Sequence, residues 1–249
     1  MDRNVRAAES VCGSMMLEGF TVPKSVKDSI RRCLNDEAIF DFAVVYVAGT
    51  RAGYRSMHRT GRDENDSYLY EGTDVLVNKL NIRDRSVLSS KIRDVVPIRI
   101  AETERYPITE PLSADYLKKI HKMLYGDIFD WAGEFRTISC HPLDCRPEYI
   151  EDNVRGLFDE LKTDEYLSEN DELPDGLAHL ICELHAISPF REGNGPCIRT
   201  IANIVAMMNG RYLDYSKASE SLYDIALRRS LTSDTDEMAD ILRHIITDY

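Results

Sequence analysis

Apolar residues along this chain recur mostly at intervals of three and four, the period of an amphipathic helix. Leu177, Leu180, Ile181, Leu184 and Ile187 set out such a face over Leu173–Ile187. Pro189 stops it, because the residue before a proline is driven out of the helical region. A second helix is expected to open at Pro196, a residue suited to a first turn. Its apolar positions Ile198, Ile201, Ile204, Val205 and Met208 carry it to Gly210. Arg6–Met16, Val22–Arg32 and Ala38–Ala48 also read as helices, and further helices are expected over Ser86–Asp94, Ala114–Tyr125, Ser219–Ser230 and Thr235–Thr247. Gly13 weakens the first of these by about 1 kcal/mol relative to alanine, which implies tertiary support. Thr60–Ser67 is polar with no apolar anchor and reads as a linker. Thr137–Pro147 carries two prolines and no helical period.

Composition narrows the class without naming a function. The 249 residues suffice for one sizeable domain and a small one, and 43% apolar with 30% charged residues is ordinary for a soluble globular chain. A net charge of -12 argues against a general nucleic-acid binder or a protein that docks on anionic lipid. Met1-Asp2-Arg3-Asn4 is polar and lacks the pattern of a secretory leader, and no apolar run approaches a membrane span. Six cysteines form no framework, so reduced thiols in a cytoplasmic setting are expected.

Candidate chemistry gathers between the two long helices, in Ser188-Pro189-Phe190-Arg191-Glu192-Gly193-Asn194-Gly195-Pro196. A glycine-flanked loop feeding a helix N-terminus is suited to anions, because outward N–H groups and the helix dipole both favour negative charge. Glu192 adds a hard oxygen ligand of the kind Mg²⁺ takes beside substrate phosphates. A phosphate and Mg²⁺ site is one reading; a plain helical turn is the other. Cys140, His141 and Cys145 lack a fourth ligand and fit no common zinc spacing. His179 and His185 lie about 240° apart around one helix, so they cannot share a metal with Cys182.

Pro189-Phe190-Arg191-Glu192-Gly193-Asn194-Gly195 followed by Arg199 closely resembles the signature of the Fic (Fido) family, whose members typically transfer AMP from ATP to a protein hydroxyl. The family pattern has a histidine where Ser188 stands and an arginine where Pro196 stands. The resemblance implies a mainly α-helical Fic-like core with a small β-hairpin flap near 136–146, onto which a target protein docks by strand addition. It implies ATP with Mg²⁺ on Glu192, and nucleotide contacts from Phe190, Glu192, Gly193, Asn194, Gly195 and Arg199. Tyr68 to Leu80 looks like the opening of the core, and Phe129 to Arg136 like the family's tryptophan segment, with Trp131 read as a core anchor. Ser14-Met15-Met16-Leu17-Glu18-Gly19 resembles the inhibitory motif of Fic regulators, which lies on a small antitoxin or within the Fic chain itself. The resemblance pairs Glu18 with Arg199, supported by Ser14, as a carboxylate and a guanidinium fit one another. The implied organisation is an antitoxin-like inhibitory domain at 1–58, a linker at 59–67 and a Fic-like core at 68–249.

In the family mechanism the motif histidine takes the proton of the attacking hydroxyl. Loss of such a base costs on the order of 10²–10⁴ in rate. Ser188 is not basic near neutral pH and itself needs activation. His185, one turn earlier on roughly the same helix face, is a possible substitute base; its plainer reading is a packed helix histidine. Two functional readings follow. One is a Fic-type protein adenylyltransferase of toxin–antitoxin type, held by Glu18, with weakened or lost chemistry. The other is a non-catalytic pseudo-enzyme that binds nucleotide or a partner protein.

Overall fold

The computed structural model describes residues 3–35, 66–105, 110–140, 145–163 and 172–248. The expected helix at Ala38–Ala48 lies outside them, as do residues 59–65 of the expected linker. Helices dominate: α1 (Arg3–Met16), α2 (Lys24–Leu34), α3 (Arg85–Arg105), α4 (Ala114–Tyr125), α5 (Ile150–Thr163), α6 (Leu173–Ile187) and α7 (Asn194–Met208). Strand β1 (Arg211–Leu213) follows, then α8 (Glu220–Arg229), α9 (Asp236–Ile245) and β2 (Ile246–Asp248). β1 and β2 form a small antiparallel sheet, with Tyr212 opposite Thr247.

The hairpin pair α6–α7 forms the middle of the core. Leu177, Leu180, Ile181 and Leu184 of α6 and Ile201, Ala202 and Ile204 of α7 are almost wholly buried. α4 and α3 pack on α7, while α5 and α9 pack on α6. α3 runs through Pro97, beyond the expected end at Asp94. Burial explains the difference: Val95, Val96, Ile98, Ile100 and Ala101 are all enclosed, which outweighs the backbone hydrogen bond that a proline removes. α7 begins at Asn194, two residues before the proline expected to open it.

α1 lies across this core on β1 and the 3₁₀ turn Tyr215–Lys217. Gly13 explains the approach. A Cβ at this position would lie 2.5 Å from the carbonyl oxygen of Tyr215. Beside it, the buried Ser10 hydroxyl donates to the carbonyl of Leu213 (2.8 Å) and accepts from the N–H of Tyr215 (3.1 Å). A polar staple and a backbone contact therefore seat one face of α1.

The antiparallel pair is not in the expected flap. Among the described residues of 136–146, namely 136–140 and 145–146, there is no strand. There the Arg136 side chain donates to the carbonyls of Ile138 (2.7 Å) and Cys145 (2.5 Å).

Candidate active site

The loop at 188–195 is shaped by two side chains. α6 ends when Ser188 turns into the left-handed region (φ 48°, ψ 62°), its N–H donating to the carbonyl of Leu184. Asn194 then ties the loop to itself. Its Oδ1 accepts the N–H of Phe190 (2.8 Å), and its Nδ2 donates to the carbonyl of Phe190 (2.8 Å) and to the Ser188 hydroxyl (3.3 Å). From beneath, the fully buried Arg136 donates to the carbonyls of Ser188 (2.7 Å) and Ile187 (3.2 Å). A cation at the carbonyl end of α6 also meets the negative end of its dipole.

An aromatic floor carries the loop. His121 stacks on Phe190 with 3.8 Å between ring centroids and on Tyr125 at 5.0 Å. Gly193 (φ 80°) rests on Tyr125, where a side chain would lie 2.9 Å from the phenolic oxygen. His121 is wholly enclosed, and burial drives its pKa down to about 4. The N–H of Gly133 donates to its Nδ1 (2.9 Å), so the neutral ring carries its hydrogen on Nε2 and donates that to the carbonyl of Glu192 (2.9 Å). Trp131, expected as a core anchor, is partly buried and stacks on Phe129 at 4.3 Å.

Arg199 and Glu18 meet across the loop mouth. The Arg199 guanidinium donates to the Ser14 hydroxyl, the Ser14 carbonyl and Glu18 Oε1, each at 2.9 Å. Its side chain is only 3% exposed and that of Glu18 33%, so the pair lies at the edge of the interior. Burial is the largest influence and works against the charged guanidinium, but Glu18, Tyr223 and Tyr215 together outweigh it and raise the pKa. A Cβ on Gly195 would lie 2.8 Å from Glu18 Cδ and closer still to its oxygen. The carboxylate thus sits against the first turn of α7, where the N–H groups have no helical acceptor. Pro196, buried in that turn, contributes no N–H. Gly19, next after Glu18, takes a left-handed turn (φ 73°) just beyond α1.

Glu192 is exposed at the loop's edge, and one carboxylate oxygen accepts the N–H of Gly193 (3.3 Å). The surrounding protein desolvates this carboxyl and raises its pKa; Glu18 pushes the same way and Arg191 opposes. One hard oxygen donor beside an anion loop fits the way Mg²⁺ is held by a carboxylate together with substrate phosphates. Among the described residues no group of three His, Cys, Asp or Glu is placed to hold a metal alone; His141 lies outside them.

His185 stands in the last turn of α6. Ser188, three residues on, is the residue that ends this helix, and it turns into the left-handed region. Sequence reasoning missed Arg136, His121 and Asp66. Asp66, at the end of the expected linker, binds Arg191 of the loop through Oδ2 (2.6 Å), with 7% of its side chain exposed. His121 and Tyr125 at an i, i+4 spacing were the available signal for the floor.

Comparison with known proteins agrees with this architecture. Residues 111–206, α4 through most of α7, match the family model described as Fic/DOC family. The chain is 30% identical over 188 residues to "Probable protein adenylyltransferase Fic" of Escherichia coli, which covers 74% of this chain and 93% of that protein. The chain belongs to the Fic/DOC family. Another Fic relative, "Protein adenylyltransferase VbhT" of Bartonella schoenbuchensis, is 28% identical over 190 residues, covering 74% of this chain and 40% of the relative. The fold also matches the BepC protein of Bartonella tribocorum, solved with bound AMPPNP (TM-score 0.67, 23% identity, 76% of this chain and all of that one). Among the described residues, no helix of this Fic chain is long and apolar enough to cross a membrane.

Proposed function

We propose that this chain is a Fic-type protein adenylyltransferase in which an internal antitoxin-like segment, α1 with Glu18, holds an ATP site shut, and in which chemistry at the base position is weakened. The observation that carries the reading is the seat of the Glu18 carboxylate, bound to Arg199 at 2.9 Å and pressed against Gly195. An anion loop already filled by an anion excludes a phosphate from the same place.

With Glu18 withdrawn, Arg199 and the first-turn N–H groups of α7 would bind phosphate oxygens, and Glu192 would hold Mg²⁺, which supplies charge neutralisation. In AMP transfer a target hydroxyl forms a bond to the α-phosphorus, pyrophosphate leaves, and the hydroxyl proton needs an acceptor. Ser188 occupies the acceptor's place, in a left-handed conformation that histidine and asparagine adopt more readily than most residues. Its hydroxyl takes a hydrogen bond from Asn194 and offers no base. That arrangement favours the second reading, a relative that binds nucleotide or a partner and no longer transfers AMP.

The test is incorporation of α-labelled ATP into lysate proteins by the wild type, by Glu18→Gly, and by Glu18→Gly with Ser188→His and Pro196→Arg. The proposal expects weak label from Glu18→Gly and at least about 10²-fold more from the triple variant, the usual contribution of a general base. Label only in the triple variant selects the second reading. No label in any of them contradicts both the transferase assignment and the role given to the loop.

A further inference from the structure

His121 is a titratable side chain in the floor that the proposed chemistry does not use. It is a wholly buried imidazole with both nitrogens engaged, Nδ1 by the N–H of Gly133 and Nε2 by the carbonyl of Glu192, each at 2.9 Å. Its ring is held between Phe190 and Tyr125, so neither bond can drift.

The Glu192–Gly193 peptide is planar and trans, so its carbonyl and its N–H point in opposite directions. Drawing the carbonyl down to His121 turns the N–H of Gly193 upward, toward the loop mouth. The structure agrees, since that N–H faces the exposed Glu192 carboxylate at 3.3 Å. A peptide leading into glycine can rotate at little steric cost, because the glycine tolerates both resulting conformations. Something else must therefore fix it.

We infer that His121 is a positioning residue that locks the Glu192–Gly193 peptide with its N–H outward, as a donor to a phosphate of bound nucleotide. The inference rests on the nucleotide reading given above, and it assigns one of that site's donors to a residue outside the loop. Neutrality matters to the role. Because Nδ1 accepts the N–H of Gly133, that nitrogen carries no proton and the ring is uncharged. The imidazole thus presents one donor and one acceptor at fixed positions, which neither a phenyl ring nor an imidazolium can do.

The test compares His121→Phe and His121→Gln in the full chain carrying Glu18→Gly, by crystal structure and by calorimetry with ATP and Mg²⁺. Phenylalanine keeps the stack but neither donates nor accepts; glutamine reaches as far as Nε2 and restores the donor. In the Phe variant the peptide should turn and ATP affinity should fall about ten-fold, the worth of one hydrogen bond to a charged group. In the Gln variant the peptide should keep its orientation and affinity should stay within about three-fold of the parent. An unturned peptide in the Phe variant, or ATP binding as tight as in the parent, overturns the inference. Should the Phe variant fail to fold, the Gln variant decides: a turned peptide with undiminished affinity overturns it, and a kept peptide bonded to the substituted side-chain amide supports it. If the Glu18→Gly parent binds no ATP, the nucleotide reading falls, while the peptide orientations still decide what His121 does.

Discussion

At the scale of single residues, Asn194 ties the loop to itself, while Arg136 and His121 hold it from below. Phe190, Glu192, Gly193, Asn194, Gly195 and Arg199 stand together in sequence around one turn, and the structure gathers them there. Arg136 and His121 lie 52 and 71 residues from the loop carbonyls of Ser188 and Glu192 that they bind, and nothing local marks either role. Two buried titratable groups also have opposite consequences for stability. His121 is depressed from 6.5 to about 4, so the unfolded chain takes up its proton first; its contribution is full above 6.5 and is lost as pH falls toward 4. Glu104, in the last turn of α3 and bonded to Tyr212 (3.1 Å), is raised by burial from 4.5 to about 7. The folded state holds that proton longer, so its contribution is full below 4.5 and is lost as pH rises through 7. In their shared window the two oppose. Glu104→Gln removes one arm: relative to wild type it should gain about 2–3 kcal/mol between pH 4.5 and pH 8. Urea unfolding at both pH values checks this, and a constant difference would refute it.

At the scale of elements, the sequence reading placed α4 at Ala114–Tyr125, and helical period placed α6 at Leu173–Ile187, each matching to the residue. It erred where tertiary burial overrode a local signal, as at Pro97 in α3. It also offered α5 unclaimed, although Ile150, Val154, Leu157, Phe158 and Leu161 repeat at the helical spacing and are all buried. The inference of tertiary support for Gly13 has its explanation in the Tyr215 backbone, and that gives a prediction of unusual sign. Alanine is the better helix former by about 1 kcal/mol. Gly13→Ala should nevertheless destabilise the protein by about 1–3 kcal/mol, because the added carbon overlaps backbone that cannot rotate away. Thermal or urea unfolding measures it; a more stable variant would mean that α1 does not sit this close.

At the scale of the whole molecule, α1 and α2 share one apolar cluster with the Fic core. Val11, Met15, Val26 and Ile30 are enclosed together with residues of α3, α4 and α7. Full burial of a side chain of this size is worth about 1.5–3 kcal/mol. Lifting α1 away therefore costs several such terms, whereas altering the single Glu18 side chain removes one ion pair and leaves that packing in place. On this account the site is opened most cheaply at Glu18, with the helix left in place. The most direct measurement is calorimetry with ATP and Mg²⁺ on the wild type and Glu18→Gly, alongside their unfolding curves. The account predicts that Glu18→Gly binds at least about ten-fold more tightly while still unfolding in one cooperative transition. Equal affinity in the two proteins would contradict it, and the Glu18–Arg199 pair would then be a packing contact between α1 and α7.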